Sequence, residues 1–314
     1  MTKSSKRKPG VQTILGLVIL AIIIICVVKL IKWNRSSVHV DTDVEEGYYD
    51  MECLDFYVYP DEEARANHPD NGKLDILILG NSYANNKGAK VSIVNEMRDK
   101  MDAHIVDLSA DNTFLTSNVP QNSPTYDCLS LYHQITDIHN HDLTYIEGGE
   151  DAFSTTKRYK EYVKDFKKTD FNDFDIVLIM YNLNDFYAAK PTLALNEEDV
   201  RGYHGSLYTS IKFLQDNYPH LQIMLVSPYP EYLVTDEGIQ LSNASDYGWG
   251  TSSVYIEHAL AVATQLCVSY IDNYFYIIND ENIEEYVSGF SLTDKGSVTL
   301  ANHIISFIEN DGLN

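Results

Sequence analysis

Basic side chains are scarce in this chain: 23 Lys and Arg stand against 46 Asp and Glu in 314 residues. Seven of the 23 fall in the first 35 positions and every acidic residue lies beyond them, so residues 36–314 carry a formal charge of −30. A surface of that sign repels phosphate backbones and anionic headgroups, which excludes nucleic acid as a partner. Cysteine is scarce too. Cys26 lies in an apolar run, and Cys53, Cys128 and Cys267 are an odd number without close spacing. That is neither a disulfide framework nor a zinc pattern, although a Cys53–Cys128 bridge stays open. Cys267, between Leu266 and Val268, is expected in the core. No metal and no cofactor is expected, since His139-Asn140-His141-Asp142 reads as a solvated loop.

Only one long apolar run exists. Val11–Ile31 is long enough to cross the roughly 30 Å hydrocarbon core as a single helix. Lys3, Lys6, Arg7 and Lys8 precede it, and Lys29, Lys32 and Arg35 follow. No small-x-small cleavage motif comes after it, and Ile25 stands where a lipoprotein signal before Cys26 needs a small residue. The run therefore reads as an uncleaved anchor. The basic start and the lack of a second span predict residues 1–10 in the cytoplasm and the acidic remainder outside the cell membrane. Residues 32–73 read as a juxtamembrane linker and lead-in, and residues 74–314 as one domain.

From Leu74 short apolar strands alternate with helices. The strand candidates are Leu74–Leu79, His104–Leu108, Asp175–Tyr181, Gln222–Ser227 and Cys267–Asp272. Helices are expected over Lys90–Met101, Tyr159–Lys168, Val200–Asn217, Val254–Gln265 and Lys295–Glu309. Continuously apolar strands joined by helices imply an α/β domain with a parallel sheet covered on both faces. Ligands of such sheets bind beyond the carboxyl ends of the strands. Ser82 and Asn184 both follow such ends.

The first block is Gly80-Asn81-Ser82, the second Asp111-Asn112-Thr113, and the third Asn182-Leu183-Asn184-Asp185. A last block, Ser288-Gly289-Phe290-Ser291, runs into the final helix. Over Lys73–Ile308 these segments resemble the SGNH/GDSL hydrolases, whose blocks read Gly-Asp-Ser, a glycine, Gly-x-Asn-Asp and Asp-x-x-His. The resemblance implies a flavodoxin-like three-layer α/β/α sandwich with a five-stranded parallel sheet, preceded here by one transmembrane helix. It also implies Ser82 as nucleophile, with the Ser82 amide, a backbone N–H near Asn112 and the Asn184 side chain holding an oxyanion. Asn112 and Asn182 replace glycines, a role asparagine can fill in left-handed backbone. Asn81 replaces the aspartate.

The family's base is what the chain lacks. Ser291 stands at its histidine and Ser288 at its aspartate, and a hydroxyl is no base at neutral pH. Losing the base costs about 10⁴–10⁶ in turnover, whereas an oxyanion donor supplies about 10²–10³. His303 lies twelve residues beyond Ser291 on a predicted helix, about 18 Å along its axis, too far to substitute. His133, His139, His141 and His204 are expected in or beside loops. The expectation is a membrane-tethered, extracytoplasmic SGNH-fold protein, catalytically impaired, that binds a cell-envelope glycan or acyl ester. Some of the 23 tyrosines would stack on sugar faces. The alternative is an active esterase or O-acyltransferase on envelope carbohydrate, using Ser82 with a base foreign to the family.

Overall fold

The computed structural model describes residues 53–69, 71–81, 83–84, 91–111, 113–118, 127–148, 157–236 and 238–311. Ser82, Asn112 and the run Val11–Ile31 lie outside them. Among the described residues no helix is long and apolar enough to cross a membrane.

The first elements are α1 (Glu62–Ala66), β1 (Leu74–Gly80), α2 (Ile93–Lys100) and β2 (Ala103–Ser109). Next come α3 (Leu131–Asn140), α4 (Thr144–Gly148), α5 (Lys157–Phe166), β3 (Ile176–Met180) and α6 (Asn184–Tyr187). Then follow α7 (Tyr203–Asn217), β4 (Gln222–Val226), a hairpin of β5 (Tyr232–Thr235) and β6 (Gly238–Leu241), and α8 (Ser252–Gln265). The last are β7 (Ser269–Ile271), α9 (Ile283–Tyr286), a hairpin of β8 (Val287–Ser288) and β9 (Ser291–Leu292), and α10 (Asp294–Asp311).

Five strands form one sheet in the order β2-β1-β3-β4-β7, every pair parallel. Side chains of a strand alternate between faces, and here both faces are dry. Leu77, Leu79, Val177, Ile179, Ile223 and Leu225 point into one core with α3, α5, α7 and α8. Ile76, Ile78, Leu178, Met180, Met224 and Val226 point into the other with α2 and α10. The result is the expected α/β/α sandwich. Its strand order reverses between β1 and β3, which makes their carboxyl ends the ligand crevice of the sheet.

Several expectations shift. Residues 53–58, read as part of the lead-in, run along β7, with Phe56 bridged antiparallel to Tyr270. Val58 N–H donates to Ser269 Oγ at 2.9 Å and Leu54 N–H to Asp272 Oδ2 at 3.0 Å. The segment thus covers an edge that would otherwise expose unpaired backbone. His133 and His139 lie in α3 rather than in a loop, and His141 caps that helix in left-handed backbone, φ 51°. Cys267 is exposed, not a core residue, because it ends α8 at φ 50° and turns its side chain outward. Cys53 and Cys128 are free thiols, the latter buried before α3.

Candidate active site

The site is built where β1 and β3 end side by side. Gly80 sits opposite Met180, and a Cβ on Gly80 would lie 2.0 Å from the Met180 carbonyl oxygen. Glycine is needed there for the close approach of two backbones. Asn81 N–H then donates to the Met180 carbonyl at 3.2 Å, so the first block leaves the strand still attached to β3.

Asn81 is fully buried and its amide links the blocks. Its Oδ1 accepts from Tyr83 N–H at 3.2 Å. The same oxygen accepts from Asn182 N–H at 3.0 Å. Its Nδ2 donates to Asn182 Oδ1 at 2.6 Å. Asn182 Oδ1 also accepts from Asn184 N–H at 3.1 Å. Here the sequence reading of Asn182 needs correction. The described non-glycine residues with positive φ are His141, Ala189 and Cys267, so Asn182 does not stand in for glycine's backbone freedom. It serves as a side-chain strut between the first and third blocks.

Asn184 Nδ2 donates to the Thr113 carbonyl at 3.0 Å, joining the third block to the second. An amide nitrogen carries two hydrogens, so one remains beyond this bond. Asp185 is buried and accepts from Leu115 N–H at 2.8 Å, Thr116 N–H at 3.0 Å and the Thr116 hydroxyl at 2.7 Å. Burial pushes its carboxyl above the ordinary range, against the pull of those three donors. Its role is to brace the 113–118 loop. The structure therefore brings Asn81, Asn182 and Asn184 together, while Ser82 and Asn112 fall outside the described residues.

Ser288 and Ser291 are exposed cross-strand partners on the β8–β9 hairpin. Gly289, at φ 67°, takes the first central position of the turn, the place where two-residue hairpins favour glycine. Tyr232 N–H donates to the Gly289 carbonyl at 3.2 Å, and the Tyr229 hydroxyl to the Phe290 carbonyl at 3.0 Å. Phe290 meets Tyr187 edge to face at 4.8 Å, which links the hairpin to the third-block helix.

Most of the described imidazoles are engaged elsewhere. His68 stacks on His220 at 4.2 Å, His104 pairs with Asp75, His139 meets the Tyr218 hydroxyl, and His204 faces His258 at 3.3 Å. His133 and His141 belong to α3 and its cap. His303 bonds Asp55 and Asn273, both at 2.7 Å. A hollow of about 590 Å³ exists, but His68, Asp75, His104 and Phe174 line it at the amino ends of β1, β2 and β3. That is the end of the sheet opposite the blocks.

No protein-family model matches the chain, and no curated protein matches it. Solved structures do. One aligns at 15% identity over 76% of this chain and 97% of its own, with a TM-score of 0.54. A protein from Lactobacillus plantarum aligns at 17% identity over 77% of this chain and 99% of its own, TM-score 0.53. A lipase/acylhydrolase from Enterococcus faecalis aligns more loosely, at 13% identity over 76% and 96%, TM-score 0.42. The first two alignments show a shared α/β/α architecture. At these identities the likeness is one of architecture.

Within this architecture, one residue stands out that the sequence reading passed over. Glu231, in Tyr229-Pro230-Glu231-Tyr232, is 1% exposed. Both carboxyl oxygens lack a hydrogen bond of full geometry, with the third-block Leu183 amide and the Tyr187 hydroxyl as the donors that face them. Burial raises its pKa well above the usual carboxylate range. Nothing in its local sequence signals this, because the burial comes from loops distant in the chain. A raised folded pKa contributes stability at acid pH that fades as pH rises from the unfolded value towards the folded one. Glu231→Gln is therefore expected to match the parent below about pH 4. Above that, it should gain relative stability at up to about 1.4 kcal/mol per pH unit, read by urea unfolding across pH. A flat difference would show that Glu231 ionises normally.

Proposed function

We propose that this SGNH-fold domain is held outside the cell membrane by Val11–Ile31, has lost efficient ester hydrolysis, and binds a cell-envelope glycan or acyl ester in its strand-tip cleft. The observation that carries this reading is the β8–β9 hairpin. It presents two hydroxyls, Ser288 and Ser291, where the hydrolases it resembles need a carboxylate and an imidazole, while most of the nine described histidines bond or stack on other partners. Glycan binding is supported by an aromatic rim from three separate segments. Tyr187 meets both Phe290 and Tyr247; Phe290 and Tyr247 are 47% and 39% exposed, and Trp249, two residues past Tyr247, is 47% exposed. Exposed rings beside an unspent Asn184 N–H suit a ligand with apolar sugar faces and carbonyl oxygens.

A second reading, ester transfer by Ser82 with another base, is favoured by Glu231, a buried carboxyl facing the third block. Acetyl-ester hydrolysis separates the two. The parent and Ser82→Ala are expected to turn over at the same background rate, and Trp249→Ala with Phe290→Ala to abolish glycan binding. A Ser82-dependent rate that falls in Glu231→Gln would establish the second reading instead. Protease added to intact cells is expected to digest the domain, and protection would overturn its extracytoplasmic placement.

A further inference from the structure

We propose that Cys53, Asp55 and His303 bind a zinc ion at the edge of the sheet, outside the hydrolase blocks. Their Sγ, carboxylate oxygen and ring nitrogen lie within 4.8 Å of one another. Each is already aimed. His303 Nδ1 lies 2.7 Å from Asn273 Oδ1, an acceptor, so this nitrogen carries its hydrogen and Nε2 faces outward. A ring hydrogen given to a carbonyl is how ligating imidazoles are commonly held and oriented. Tyr276 stacks on the ring at 3.7 Å and 3°, which fixes its plane.

Asp55 Oδ1 accepts from Asp272 N–H at 2.6 Å, leaving Oδ2 for the ion, 2.7 Å from His303 Nε2. Cys53 Sγ lies 3.5 Å from the Asp272 carbonyl oxygen. His303 is buried, Cys53 half-buried and Asp55 exposed, so the ion has a route from solvent and water can complete a tetrahedron. Zinc bonds of about 2.0–2.3 Å would set the ligand atoms roughly 3.3–3.6 Å apart. Rotation of the Cys53 and Asp55 side chains can reach that spacing.

The thiol proton, and the proton lying between Nε2 and Oδ2, leave to solvent on binding. Thiolate and carboxylate then balance the charge of the ion. A sulfur and an imidazole among three donors select zinc over magnesium or calcium. The ion joins the entering segment of the domain to its last helix. Through Asn273, whose Nδ2 donates to the Tyr83 hydroxyl at 2.6 Å, it also stiffens the residue that follows Ser82.

The test is titration of the metal-free full chain with cobalt(II), then zinc(II). Stoichiometric uptake is expected, with a thiolate-to-cobalt charge-transfer band that zinc abolishes. Cys53→Ser, at a half-buried edge, should fold normally, lose the band and lose over about 100-fold in affinity. Asn273→Ala should weaken binding about 10–100-fold, whereas Cys267→Ser should change nothing. No uptake, or a band and affinity unchanged in Cys53→Ser, overturns the proposal. Cobalt bound without the band, as at the His204–His258 pair, overturns it as well.

Discussion

Gly80→Ala is expected to cost about 3 kcal/mol of unfolding free energy, the upper part of the overpacking range. The added methyl would lie 2.0 Å from the Met180 carbonyl oxygen and 2.8 Å from its carbon. Both are backbone atoms in a five-stranded parallel sheet, so no side chain can swing aside. β1 lies between β2 and β3, and relief means prising β1 and β3 apart at their carboxyl ends. That movement would stretch the Asn81 N–H to Met180 bond and the 2.6 Å contact between Asn81 and Asn182. Urea unfolding measures the loss. Gly72→Ala is the natural comparison, since φ is 79° there and nothing lies within 4 Å, leaving backbone strain alone. A Gly80→Ala loss no larger than that of Gly72→Ala would mean the strands yield freely.

Legibility in the sequence follows the range of the interactions. The inner strands β3 and β4 stand out because each is buried on both faces and so reads as a nearly unbroken apolar run. The edge strand β2, only partly buried, carries His104 and Asp107 and shows more weakly. The helix Leu131–Asn140 does not stand out, because His133, Gln134 and Asp137 are polar and buried on its inner side. Gln134 is held there by its bond to the Leu129 carbonyl at 3.2 Å, a local satisfaction that periodicity cannot register. Within the site, the motif located Asn81, Asn182 and Asn184 but mistook what Asn182 does. A glycine-to-asparagine change suggests backbone freedom, whereas the strut it forms needs coordinates from two strands. The pairing of Asp55 with His303 spans 248 positions. Counting along one helix axis from Ser291 could exclude His303 as a base but could not show what it meets.

The double replacement Ser288→Asp with Ser291→His is expected to raise Ser82-dependent ester hydrolysis by about 10³-fold or more, a part of the 10⁴–10⁶ that a base contributes. The hairpin geometry favours it. Ser288 and Ser291 are directly paired across β8 and β9, and such partners point to one face with Cβ atoms about 4.5–5.5 Å apart. A carboxylate at one position can therefore hold the ring nitrogen of the other, fixing the tautomer that lets the remaining nitrogen accept a proton. Both sites are exposed and the turn depends on Gly289, so neither replacement should disturb the core. Ser291→His alone should recover less, because its ring lacks a partner to orient it. The comparison that decides is the triple variant with Ser82→Ala, expected to return to background. If the double variant folds and stays inert, the first-block turn or the Asn184 donor is misplaced. The proposed loss of hydrolysis would then lie in the geometry around Asn184 rather than in the residues at positions 288 and 291.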